Sequence, residues 1–210
     1  ATFKTKSLFI YPQKKPAIYK ASTEEIDKSS ILNQKDFTRA KETIKFIKDK
    51  KWNSALKSAS KVKDREFRNL ITWMYLKTTR NGASFSEYKN FIEQNKNYTR
   101  INRIRFLAES KIYLRNNSPT SIINWFNKYP PLGGMGKIKL AEAYLEKGQT
   151  EKVQKLIKEG WETATISKND LGYYRAKFKK FIDSEDHIKR ADYLAWEKKY
   201  WDLKRMLKYL

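Results

Sequence analysis

Apolar residues recur every three or four positions through most of the 210-residue chain. Ile101, Ile104, Ala108 and Ile112 form one such series, which predicts an amphipathic helix that ends at Asn116-Asn117. The strict alternation of apolar and polar residues that marks a half-buried strand is missing. Eleven helical segments follow one another in this way, so the sequence predicts an all-α fold.

Turn and capping residues divide the chain between these segments. Asp36 is expected to be the N-cap of the first helix. Ser118 followed by Pro119 predicts the start of the sixth helix, because proline is favoured at the first helical position. Gly148 is placed just after the seventh helix in the left-handed conformation, and Thr150 is expected to cap the eighth.

Consecutive helices pair into hairpins that begin near residues 36, 64, 99, 134 and 167. This spacing is close to the period of about 34 residues that tetratricopeptide-like repeats have. The hairpins share little sequence, so we predict an α-solenoid of degenerate repeats over residues 31–210, with a concave face. Residues 1–30 are expected to form an extended basic leader, and the apolar last helix indicates a native polypeptide that continues past Leu210.

The formal net charge is +23, which is typical of proteins that bind nucleic acid or anionic surfaces. Lysine outnumbers arginine by 35 to 11, whereas specific phosphate and base recognition favours the guanidinium group. The chain is also rich in Asn, Ile and Tyr, as expected of an AT-rich genome. Two interpretations stay open: a solvated basic surface set by genome composition, and a basic binding surface.

The inventory of reactive residues is short. The chain has no cysteine and one histidine, which excludes thiol catalysis, disulfides and an ordinary zinc site. We therefore expect no metal and no cofactor, and no apolar run approaches the ~18 residues that a membrane span needs. His187 is a candidate general base beside Asp186, or else a residue that hydrogen-bonds between helices.

Two further motifs have a functional and a structural interpretation. Gly133-Gly134-Met135-Gly136 could cradle a phosphate, but it lacks the Lys-Ser/Thr of a P-loop and follows no strand. It is also a turn that would let two helices pack closely. Arg100, Arg103 and Arg105 could hold an anion, or they could form one solvated flank of the fifth helix.

The aromatic residues could serve as stacking platforms for sugars or bases. Trp52, Trp73, Trp125 and Trp161 lie among aliphatic residues at helical spacing, which favours core packing instead. Phe126 is expected to pack beside Trp125 at the join between the central hairpins. The pairs that this argument does not place are Tyr173-Tyr174 and Tyr200-Trp201.

An ordered series of stretches resembles the N-terminal superhelical domain of soluble lytic murein transglycosylases, of the alphaproteobacterial type. The similarity is densest in Trp125–Ala143 and covers about residues 31–210. The stretches that carry it are Asp36, Lys51–Leu56, Phe91–Asn95, Ile104–Glu109, Trp125–Ala143, Trp161, Asp186–Trp196 and Lys204–Leu207.

The resemblance implies a periplasmic protein of peptidoglycan turnover. The family cuts the bond between N-acetylmuramic acid and N-acetylglucosamine without water and leaves a 1,6-anhydro product. Its helical domain is a scaffold, and a later lysozyme-like domain carries the catalytic Glu in a Glu-Ser motif followed by Gly-Leu-Met-Gln. Glu109-Ser110 falls inside a scaffold helix with no such sequel, so we expect no catalytic residue in this chain.

The expected partners are therefore peptidoglycan glycan strands and a catalytic domain in cis, with nucleic acid not expected. The alternative is a helical-repeat adaptor that binds RNA or an acidic protein through its basic surface.

Overall fold

A computed structural model describes residues 28–210, so the predicted leader lies almost wholly outside the described residues. This part of the chain contains eleven α-helices and no β-strand. Two short 3₁₀ turns, Thr150–Lys152 and Leu207–Tyr209, lie before α8 and after α11. The helices are α1 Gln34–Lys48, α2 Trp52–Ala59, α3 Arg65–Lys77, α4 Phe85–Gln94, α5 Ile101–Glu109, α6 Pro119–Lys128, α7 Gly134–Glu146, α8 Val153–Thr163, α9 Lys168–Lys177, α10 Ser184–Trp196 and α11 Tyr200–Met206.

Side-chain caps set several helix starts. Ser118 caps α6 by accepting from the Ser121 N–H, with Pro119 at the first helical position, so that prediction is confirmed. The prediction that Asp36 caps α1 is wrong, because Asn33 is the N-cap. Asp36 lies in the first turn instead, where its buried carboxylate accepts the N–H of Lys63 at 3.1 Å and ties α1 to the turn after α2.

Helix ends differ from the sequence expectation in two places. The α5 helix ends at Glu109 rather than at Asn116-Asn117, because its last turn tightens and the Ile112 N–H bonds to the Glu109 carbonyl. Thr150 begins a 3₁₀ turn and does not cap α8 with its side chain. Gly148 has φ +72° after the end of α7, as predicted for a glycine in the left-handed region.

The helices form an all-α superhelix of degenerate hairpins. Helices α1 and α2 pack as one hairpin, and α7 and α8 form the closest one. Helices two positions apart also make contact, with α3 on α5, α5 on α7, and α8 on α10. Contacts between near neighbours in the sequence are the pattern of stacked repeats.

Two apolar clusters fill the interior of this stack. The N-terminal core runs from Tyr75 to Ala143, and the C-terminal core runs from Ile138 to Met206. Helix α7 contributes to both, because Leu140 packs in the first core while Ala141 packs in the second. Among the described residues, no helix is long and apolar enough to cross a bilayer.

Candidate functional site

The glycine turn before α7 surrounds a carboxylate from α5. Glu109 is 3% exposed, and its Oε1 and Oε2 accept the N–H groups of Leu132 at 2.5 Å and Gly133 at 3.0 Å. Burial raises the pKa of Glu109, while hydrogen bonds from these two N–H groups and from Gly136 act in the opposite direction. A helix N-terminus attracts anions. At the start of α7 the Glu109 carboxylate of the same chain takes the place of a bound anion.

The glycines of the turn are required by close packing. A Cβ on Gly134 would lie 2.4 Å from the backbone nitrogen of Ala164, and one on Gly136 would lie 2.5 Å from the Glu109 carboxyl carbon. A Cβ on Gly160 would lie 2.9 Å from the Gly134 carbonyl oxygen, so α7 and α8 touch through glycines on both sides. The prediction that this turn lets two helices pack closely is confirmed.

A groove opens beside this turn, and we refer to it as the Phe106 groove. Its volume is about 500 Å³, within the range of about 300–1,000 Å³ that small-molecule sites occupy. Its walls are formed by α5 and the residue after it, by the α6–α7 loop with the start of α7, by the end of α8, and by α10 with the loop after it. Its lining residues are Phe106, Leu107, Glu109, Ser110, Leu132, Gly133, Gly134, Met135, Thr163, Thr165, Tyr193 and Lys199.

The Phe106 groove combines exposed apolar surface with hydroxyl groups. Phe106 and Leu132 are 42% and 43% exposed, although both are large apolar side chains. The Ser110 hydroxyl donates to the Leu107 carbonyl, so its oxygen keeps lone pairs free to accept from a ligand. Lys199 supplies a cation at the wall, 5.0 Å from the centroid of the Tyr193 ring.

His187 bonds between helices and does not pair with Asp186. The Trp161 indole N–H donates to His187 Nδ1 at 3.1 Å, which leaves the proton of the neutral imidazole on Nε2. Burial lowers the pKa of His187, and the charge of Arg175 lowers it further. The Asp186 carboxylate instead contacts Lys158 Nζ at 2.8 Å and the Asp183 N–H at 3.1 Å. The structure therefore contradicts the Asp186–His187 pair and places His187 as the alternative hydrogen-bonding residue.

The three arginines of α5 do not converge on one point. Arg105 donates to the Pro130 carbonyl at 3.1 Å and to Asn102 at 3.0 Å, and so connects α5 with the α6–α7 loop. Arg103 lies 5.2 Å from the centroid of the Phe106 ring. Arg100 is exposed and begins α5 at φ 53°. The interpretation as one flank of the helix fits these positions better than an anion site.

Most tryptophans are packing residues, as predicted. Trp125 is 6% exposed and Trp161 is fully buried, while Trp52 and Trp73 are partly buried against the N-terminal core. Phe126 is buried beside Trp125 in that core. The sequence did not assign Tyr173-Tyr174 and Tyr200-Trp201 to the core or to the surface. In the structure Tyr174 is buried, whereas Tyr173, Tyr200 and Trp201 are at least half exposed.

Two residues with specific roles were not identified from the sequence. Glu109 reaches the glycine turn across 24 positions, and no local motif signals that contact. Lys139 is 2% exposed on α7, at a position where helical periodicity gives no reason to expect a lysine. Among residues 28–210, no three His, Asp or Glu side chains are placed to hold a metal ion.

Comparison with known proteins gives no relative from which a role could be transferred. No protein-family model, no curated protein and no solved structure matches this chain. The similarity to lytic transglycosylase scaffolds therefore stays a prediction made from the residues themselves.

Proposed function

We propose that the chain is the scaffold region of a periplasmic soluble lytic murein transglycosylase and holds a peptidoglycan glycan strand in the Phe106 groove. The parent reaction is non-hydrolytic cleavage between N-acetylmuramic acid and N-acetylglucosamine, with the catalytic Glu outside this chain. One observation carries the proposal. Two segments that carry the resemblance, 125–143 and 186–196, lie far apart in sequence but both line this groove, through Leu132 and Met135 and through Tyr193.

The chemistry of the Phe106 groove suits a sugar chain. Pyranose rings present apolar C–H faces to aromatic and aliphatic side chains, and their hydroxyl groups exchange hydrogen bonds with polar side chains. Phe106, Leu132 and Tyr193 supply the apolar contacts, and Ser110 and Thr165 supply hydroxyls. Such a site is mostly apolar with a few polar groups that orient the ligand.

The charges of the groove favour a glycan over a polyanion. Its lining contains one cation, Lys199, and one carboxylate, Glu109, so the strong basic charge of the chain is not focused there. A groove that follows an RNA backbone requires several cations to neutralise phosphates. The adaptor function therefore has to use another part of the surface.

Sedimentation with purified peptidoglycan sacculi tests the proposal. We expect the wild-type chain to bind sacculi and to keep most of that binding at about 1 M sodium chloride, where exposed charges are screened. Phe106→Ser should weaken binding about tenfold, because it removes the exposed ring from the groove wall. The matched control is Trp196→Ala, since Trp196 is 85% exposed but does not line the groove.

Three results would argue against the proposal. One is a folded Phe106→Ser protein that binds sacculi as well as wild type does. Another is binding to sacculi that disappears at high salt while RNA is retained at low salt, which supports the adaptor. The third is release of anhydro-muropeptides by the chain alone above a blank, which would place catalysis inside it.

A further inference from the structure

Lys139 has a buried side chain whose ammonium group lies near two aromatic rings. It lies in the middle of α7 and is 2% exposed. Its Nζ is 4.1 Å from the centroid of the Tyr113 ring and 5.3 Å from that of Tyr174, so two aromatic faces hold the charge. An ammonium has three N–H donors, so the Nζ of Lys139 can donate to a ligand that lies beside it.

The Lys139 ammonium faces a concave pocket of about 290 Å³, which we refer to as the Lys139 pocket. Tyr113 and Tyr174 form its walls, and the exposed Arg115 lies at its mouth with its guanidinium 4.9 Å from the centroid of the Tyr113 ring. The pocket therefore places two cationic donors and two aromatic faces around a volume suited to one small molecule. It shares no lining residue with the Phe106 groove.

The two carboxylates of this pocket already have partners. Glu142 accepts the Tyr173 hydroxyl at 2.5 Å and contacts Lys177 Nζ at 3.2 Å. Asp170 accepts the Ser167 hydroxyl at 2.7 Å. Both carboxylates act on Lys139 through their charge, and Lys139 lines the same pocket as they do.

The charged groups around Lys139, two carboxylates and two cations, favour a ligand with a single negative charge. Burial lowers the pKa of Lys139, Glu142 and Asp170 raise it, and Arg115 and Lys177 lower it again. A bound anion would favour the protonated lysine. The two carboxylates repel a doubly charged group such as phosphate more strongly than a single carboxylate.

We infer that the Lys139 pocket binds the carboxylate of a small amino acid or of a peptide chain end. Lys139 Nζ donates to one carboxylate oxygen, and the guanidinium of Arg115 donates from the mouth of the pocket. The rings of Tyr113 and Tyr174 contact the small side chain of the ligand. Neighbouring Asp170 can accept from its amino or amide N–H.

Calorimetric titration with the dipeptide D-alanyl-D-alanine tests the inference. The choice of this dipeptide rests on the proposed function, because peptidoglycan stems end in D-alanine, whereas the carboxylate site does not rest on it. We expect saturable binding by wild type, and about tenfold weaker binding of the matched C-terminal amide, which lacks the carboxylate. L-alanyl-L-alanine is measured in parallel, and its binding also supports a carboxylate site.

Three variants locate the binding. Lys139→Met should reduce affinity about tenfold while the protein stays folded, since replacing a buried charge with an apolar side chain of similar length is often tolerated. Arg115→Gln should have a smaller effect of about threefold, because Arg115 is exposed at the mouth. Lys147→Met, an exposed lysine just after α7, is the control and should bind like wild type.

The Phe106→Ser variant separates the two sites. It should bind the dipeptide with the affinity of wild type. A failure of the chain to bind glycan therefore does not contradict the carboxylate site in the Lys139 pocket. The inference is overturned if neither dipeptide binds, if the amide binds as well as the acid, or if inorganic phosphate binds more tightly than both. If Lys139→Met does not fold, an unchanged affinity in Arg115→Gln together with equal binding of acid and amide overturns it.

Discussion

The two cores of this chain differ in the side chains that surround their buried tryptophans. In the N-terminal core, Phe85 and Trp125 pack edge to face at 5.3 Å inside a cluster of apolar side chains. In the C-terminal half, charged groups lie beside the apolar cluster, among them Arg190 at 2% exposure and Asp186 at 4%. Charged side chains are buried in both halves, Glu109 at 3% exposure among them, but of Trp125 and Trp161 only Trp161 lies against a buried cation.

Arg190 explains how the C-terminal core tolerates a buried cation. Its Nη1 donates to the carbonyl of Trp161 and, at 2.9 Å, to that of Ala164. These carbonyls lie at the end of α8, where helix geometry leaves acceptors without partners and favours a positive charge. Burial lowers the pKa of Arg190 to about 10, which still leaves the guanidinium protonated at neutral pH.

The largest effect that distinguishes the cores is expected from Trp161→Ala. This change leaves a cavity, removes the donor to His187 and uncovers Arg190, whose guanidinium lies 5.2 Å from the centroid of the indole. We expect a loss of about 5 kcal/mol in the free energy of unfolding, the upper end for a buried tryptophan. Urea denaturation followed by circular dichroism measures it.

The counterpart in the other core is Trp125→Ala. It removes apolar contacts alone, so we expect a loss of about 3–4 kcal/mol. Because each repeat contacts mainly its neighbours, the thermal melt of this variant should begin early or separate into two transitions. Equal losses for the two variants would mean that the polar contacts of Trp161 add nothing, and an unchanged melt for Trp125→Ala would contradict its placement in the core.

A smaller effect is expected at the join between the cores. In Gly134→Ala the new Cβ meets the Ala164 backbone, so α7 and α8 must separate and we expect a loss of about 3 kcal/mol. The matched control is Gly172→Ala inside α9, where a Cβ meets nothing within 4 Å. That variant should gain about 1 kcal/mol from helix propensity. A melting temperature that is lower for Gly172→Ala than for Gly134→Ala would contradict the close approach of α7 and α8.

The fourth prediction is that stability depends on pH through His187 in the C-terminal core. The pKa of His187 is lowered in the folded state by burial and by the charge of Arg175, with Asp186 and Asp183 opposing them and Arg190 adding to them. The unfolded chain therefore takes up this proton first. His187 contributes full stability above about pH 6.5, and that contribution falls as the pH is lowered from there towards its folded pKa.

Wild type and His187→Gln are compared by urea denaturation between about pH 5 and pH 8. Glutamine can still accept from the Trp161 indole but does not titrate. The stability of wild type should decline more steeply below about pH 6.5 than that of the variant. Parallel curves for the two proteins would show that His187 is not held neutral by the C-terminal core.

The sequence predicts the helices well because their signals are local. Ser118 before Pro119, the left-handed Gly148 and the buried Trp161 all follow from spacing within one or two turns. Asp36 was misplaced because both Asn33 and Asp36 are good capping residues and only their three-dimensional partners separate them. A capping preference alone does not rank two candidates that lie three positions apart.

The candidate sites were predicted less well because they depend on contacts between distant segments. The Phe106 groove joins four separate parts of the chain, and the Lys139 pocket joins α7, α9 and the turn after α5. Helical periodicity assigns each residue to a face of its own helix but does not say which face of another helix it meets. The place of Lys139 in a pocket follows from its long-range contacts with Tyr113 and Tyr174, which no local pattern predicts.

The carboxylate of Glu109 competes with dissolved anions as an intramolecular ligand of the α7 N-terminus. A tethered partner acts at an effective concentration, which is about millimolar even for short flexible linkers and is raised by rigid positioning. Glu109 is held on a packed helix with both oxygens bonded, so a free phosphate or sulfate would first have to displace it. The glycine turn therefore keeps the backbone geometry of an anion receptor, and its own carboxylate occupies it unless the concentration of free anions exceeds this effective concentration.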